Sequence, residues 1–181
     1  MTAISRWTIE DYHATIAAGM LDRRRVELVN GEIVAMAPEQ PLHFNRGDRI
    51  SRYLRNLLKD RASVRHGGPV TLPHDSEPEP DIAVVAPLVE EYDLRHPSPA
   101  EIFWLVEISN TSLTYDLTQK AVLYASSRIP EYWVLDLQGS ILWVHRQPQT
   151  EGYQSKVART DGAIAPIAFP EVEISVRMLL D

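Results

Sequence analysis

The chain has 181 residues, 44% of them hydrophobic, which fits one domain with a continuous core and leaves little room for two. It contains no cysteine, so disulfides, thiolate zinc sites and cysteine nucleophiles are excluded, and any metal must be held by oxygen or imidazole. A formal charge of −7 and a pI near 5.4 exclude a protein that coats nucleic acid with its whole surface, although a local basic patch is compatible with both.

The N-terminus, MTAISRWTIEDY, has no basic segment followed by an apolar run, and no stretch approaches the roughly eighteen apolar residues of a membrane span; cytoplasm is the expected location. Thr8 is placed to cap a short first helix, with Asp11 three residues on, Ile9, Tyr12 and Ile16 at helical spacing, and Gly19 as the stop. After the charged LDRRR loop, VELVNGEIVAM alternates on either side of Asn30-Gly31, which predicts a β-hairpin because a type I′ turn needs positive φ at both central residues. The APEQPLHF segment is expected as loop. Residues 45 to 60 then carry Ile50, Tyr53, Leu54, Leu57 and Leu58 on one helical face and Arg49, Arg52, Arg55 and Lys59 on the other.

Short strands are expected near 62 to 72 and at DIAVV, separated by the loop PHDSEPEP, with a long loop over 86 to 100. FWLVEIS predicts a buried strand, Thr114 to Ser127 a helix, and IPEYWVLDL a second buried strand, so this unit should make a crossover with parallel strands. ILWVHR, YQSKVAR and VEISV follow as further strands, with turns at Gly139, Gly152 and Gly162.

Two acids lie where charge is costly: Asp81 opens DIAVV, and Glu107 sits inside LVEIS. If those strands are neighbours, the carboxylates converge at the sheet rim, and a hard cation such as Mg²⁺ between them would relieve their repulsion. Lys120, on the following helix, could orient water or neutralise phosphorane charge, with Asp116 and Tyr124 at i−4 and i+4 on the same face. Simpler roles stand beside these: Asp81 as a turn residue after Pro80, Glu107 as the partner of a structural Arg, Lys120 and Asp116 as a surface ion pair, Tyr124 as core. Glu27 on the hairpin could add a carboxylate or simply face water. His43 could act as acid, base or phosphate contact, or merely hold a loop. Residues 45 to 65 hold seven Lys or Arg against Asp48 and Asp60, leaving +5 there and −12 elsewhere. Arg49, Arg52, Arg55 and Lys59 are thus candidate phosphate contacts, or an ordinary solvated face.

The segments RVELVNGEIVAMAPEQPLHF, EPEPDIAVV, LVEISNTSLTYDLTQKAVLYA and IPEYWVLDL together resemble the Uma-type family of restriction endonucleases. The resemblance implies the PD-(D/E)xK nuclease superfamily: an α/β (α+β) fold over residues 1 to 181, with a mixed central β-sheet flanked by helices, an N-terminal helix and hairpin, and a C-terminal β extension. It also implies a site dependent on Mg²⁺ (or Mn²⁺), with Asp81 and Glu107 as motif acids and Ile108 grouped with them as a metal-holding position. The lysine expected two residues after Glu107 is Ser109, so Lys120 must substitute for it, a migration that the family shares. DNA as substrate and a homodimer pairing two sites are the implied partners. A binding module that keeps the nuclease fold without catalysis is the alternative, and a small phosphorylated substrate, with the loop 86 to 100 closing its cleft, is a third.

Overall fold

A computed structural model describes residues 5–38 and 40–181; Glu39 of the APEQPLHF segment and the first four residues lie outside the described residues. Helix α1 spans Ile9–Ala17. The Thr8 hydroxyl accepts from Asp11 N–H while the Asp11 carboxylate accepts from Thr8 N–H, the reciprocal cap that the spacing predicts. Gly19, with φ +72°, follows it. Strands β1 (Val26–Val29) and β2 (Glu32–Ala35) pair antiparallel around Asn30 and Gly31, whose φ values of +50° and +75° are those a type I′ turn requires.

Helix α2 runs from Pro41 to Leu58, four residues earlier than the hydrophobic pattern predicts. Proline is at home in a helix's first turn, where its missing N–H is not needed, so PLHF enters the helix rather than the loop. The strand expected over 62 to 72 is only β3 (Ser63–His66), because Gly67 at φ +58° turns the chain and Gly68-Pro69 cannot continue a ladder. The segment beyond is pinned to the hairpin instead, with Glu77 N–H donating to the Leu28 carbonyl at 2.7 Å.

The main sheet has six strands in the order β3, β4 (Ile82–Val85), β5 (Ile102–Ser109), β6 (Glu131–Asp136), β7 (Ile141–Gln149) and β8 (Gly152–Arg159). Only β5 and β6 are parallel neighbours, which is the predicted crossover. That crossover is not one regular helix: α3 (Leu113–Tyr115) leads into a π-helical turn (Asp116–Lys120) and then α4 (Ala121–Ser126). The VEISV segment also departs from expectation, since only Ile174–Ser175 forms strand β10, paired with β9 (Ala163–Ile164). The Ser175 hydroxyl then caps helix α5 (Val176–Leu180).

Period-two alternation sorts the sheet's side chains onto two faces. Trp104, Val106, Ile108 and Trp133 pack under α2 and α5, against Ile50, Leu54, Val176 and Leu179. Leu105, Tyr132 and Val134 pack under α4, against Leu123 and Tyr124. Glu107 alternates with Val106 and Ile108 and therefore faces α4. No described helix is long and apolar enough to cross a membrane.

Candidate active site

The β4–β5 register pairs Ile82 with Val106, so one step further Asp81 lies opposite Glu107, on the same face. Asp81 Oδ2 accepts from the Ile108 main-chain N–H at 2.6 Å and lies 3.1 Å from His43 Nε2. His43 reaches it because α2 begins early and turns its first residues toward the start of β4.

Glu107 is buried, and its Oε1 accepts from Lys120 Nζ at 3.2 Å and from the Tyr124 hydroxyl at 2.7 Å. Lys120 also donates to Glu27 Oε2 at 3.0 Å, and the Glu79 N–H donates to that same oxygen. One ammonium thus bridges two buried carboxylates from β1 and β5. Burial pushes the Glu107 carboxyl well above its ordinary range; Lys120 opposes this, and Asp81 adds to it. Burial alone would lower Lys120, but Glu107 and Glu27 outweigh it and keep the ammonium protonated. Burial also raises the Tyr124 phenol, which stays a neutral donor.

Asp116, on the π-helical turn, accepts from the Ser109 and Ser112 hydroxyls, each at 2.6 Å. Burial raises its carboxyl even so. It makes no surface ion pair with Lys120, and the two side chains are buried in one site. Ser109, noticed in the sequence only as a missing lysine, is therefore the seat of Asp116. The pattern carried a usable signal, since a hydroxyl inside an apolar strand needs a partner.

Glu27, His43, Asp81, Glu107, Asp116 and Lys120 all line one cavity of about 400 Å³. Residues 86 to 100 are not among its walls; that loop folds on itself through Arg95, which pairs with Glu91 and Glu101. The basic face of α2 is turned to other uses. Arg55 donates to the Val64 carbonyl, Arg49 to that of Asp181, and Arg52 pairs with Asp48. The first two bonds fasten α2 to β3 and to the residue that follows α5.

Among the described residues no group of three or more His, Asp or Glu side chains is arranged to hold a metal ion alone. Mg²⁺ asks less of a protein, taking typically one or two carboxylates while water and substrate phosphate complete its shell. The residues fit that demand. Five carboxylates line the cavity beside one lysine, and burial, with Asp81 and Asp116 adding to it, holds the Glu107 carboxyl high. Asp81 and Glu107 offer hard oxygens, and Lys120 and Tyr124 both engage Oε1 of Glu107, leaving Oε2 as its oxygen for a cation. A strand residue's N–H and C=O face the same neighbour, so the Ile108 carbonyl is directed toward the Asp81 side.

A mixed sheet flanked by helices, with carboxylates gathered where β4 begins and β5 ends, defines a restriction-endonuclease-like fold. Residues 9–177 match the Uma2 family, described as putative restriction endonuclease, and the chain belongs to that family. A crystal structure of a putative nuclease belonging to DUF820 from Anabaena variabilis is similar in fold, at 16% identity and a TM-score of 0.68, covering 96% of this chain and 97% of that one. No curated protein matches the chain.

Proposed function

We propose that this chain is a metal-dependent endodeoxyribonuclease that hydrolyses phosphodiester bonds as a single domain. The observation that carries the reading is Lys120: from the helix it bonds Glu107, placing an ammonium beside the motif carboxylate that lacks its strand lysine. Asp81, Glu107 and the Ile108 carbonyl would hold Mg²⁺ or Mn²⁺. The cation supplies Lewis-acid polarisation of a phosphoryl oxygen when bound. Lys120, kept charged by its two carboxylates, faces the charge that develops on the phosphorane. Tyr124 fixes the Glu107 rotamer, and His43, beside Asp81, is placed to contact a phosphate or move a proton at the cavity rim. Asp116 holds Ser109 and Ser112 and supports the wall behind Lys120. A homodimer would present two such sites to the two strands of a duplex.

The test is nicking of supercoiled plasmid with Mg²⁺ or Mn²⁺, beside an EDTA control and Glu107→Gln. Metal-dependent nicking that the variant lowers by about a hundredfold or more is expected. Plasmid bound but never cut would indicate a binding module on the same fold.

A further inference from the structure

A smaller pocket of about 230 Å³ adjoins the cavity and shares Arg25, Met36, Glu79 and Asp81 with it. Its remaining wall is formed by Phe44, His66, Gly67 and Pro80, and the Phe44 and His66 rings lie 5.3 Å apart, tilted by 40°. Phe44, ending the first turn of α2, is 51% exposed. Leaving so large an apolar ring in water forgoes free energy that a core position would gain.

The ring pair has a built seat. His66, the last residue of β3, rests on α2 at Gly47, where a Cβ would come within 2.4 Å of His66 Nε2. Glycine inside a helix costs about 1 kcal/mol relative to alanine, and here it opens the space that backs Phe44. Beside the rings, the Glu79 carboxylate, 3.7 Å from Arg25, is an acceptor suited to the exocyclic amine of a base edge.

We infer that Phe44, backed by His66, is a stacking platform for an unpaired nucleobase next to the phosphodiester at Asp81. The inference rests on the nuclease reading and deepens it. Bases within an intact duplex are stacked on one another and offer no free face, so the platform takes a base that is unpaired at the cleavage site, in single-stranded DNA or where a duplex opens locally. Every base has a π face, so the stacking itself tolerates sequence, while Glu79 favours bases that carry an exocyclic amine over thymine.

The experiment uses a short single-stranded oligodeoxynucleotide carrying 2-aminopurine, read by anisotropy and by quenching of the probe, with wild type, Phe44→Ala and Phe44→Trp. Wild-type binding with quenching, about tenfold weaker in Phe44→Ala and retained in Phe44→Trp, is the expected result. Equal binding by all three, without quenching, overturns the platform while the plasmid assay leaves the nuclease reading standing. Neither binding nor cleavage of any DNA overturns both. Far-UV circular dichroism of Phe44→Ala, expected to match wild type, separates loss of stacking from loss of fold.

Discussion

Lys120 sets the terms at the scale of the residue, because its ammonium bridges two carboxylates that are buried with it. Lys120→Met leaves Glu27 and Glu107 facing each other, and breaking a buried pair in this way costs about 3–5 kcal/mol. Adding Glu27→Gln removes one of the stranded charges. The double variant is therefore expected to regain part of the lost stability in urea unfolding, while plasmid nicking stays abolished. Outside the cavity walls, His145 is buried between the Tyr132 and Tyr153 rings. Burial, with Lys156 nearby, holds its imidazole at about 4 rather than 6.5. The unfolded chain accepts that proton first, so stability is full above pH 6.5 and declines as the pH falls toward 4. The loss is of order 2 kcal/mol after allowing for solvent screening. Urea unfolding across that range should show the slope, and His145→Phe should flatten it.

At the scale of elements, the hairpin and the crossover helix carry the site between them. Gly31 holds φ +75°, and a Cβ there would lie 2.8 Å from Arg6 Cβ and 3.0 Å from the Trp7 carbonyl. Gly31→Ala combines that collision with left-handed strain, costing about 1–3 kcal/mol. Because the same hairpin carries Glu27 to Lys120, nicking should fall along with the urea midpoint. The turn chemistry of Asn30-Gly31 and the cap at Thr8 are local, and both were legible in the sequence. So was the Glu107 to Lys120 order, because strand, helix and parallel strand leave few topologies. The π-helical turn was not legible: its residues have ordinary helical composition, and the wider turn follows from seating Asp116 on Ser109 and Lys120 on Glu107 together.

For the whole molecule, the question is what the basic face of α2 does. Arg55 is committed to the Val64 carbonyl, whereas Lys59 and Arg52, the latter in a surface pair with Asp48 of the same helix, are exposed. Arg52→Ala and Lys59→Ala are each expected to reduce the slope of log K against log salt for DNA binding by about one unit. Arg55→Ala should lower the unfolding midpoint and leave that slope unchanged. Titrations at several salt concentrations separate the two uses. Glu27, an even choice between site and outward hairpin charge on sequence alone, and His43, for which the sequence favoured a hydrogen-bonded loop role, both line the cavity, since which face of a hairpin or helix start meets the sheet depends on distant packing.

The sequence by itself determined the elements whose signals are short-range: the capped first helix, the hairpin, the buried parallel pair of strands and the absence of thiol chemistry. Only the tertiary structure decided that Asp81 opposes Glu107, that one ammonium serves two carboxylates, and that Arg49 and Arg55 of α2 bind carbonyls. Those outcomes rest on contacts between residues as much as 132 positions apart, as Arg49 is from Asp181, where strand register and burial fix which side chains meet.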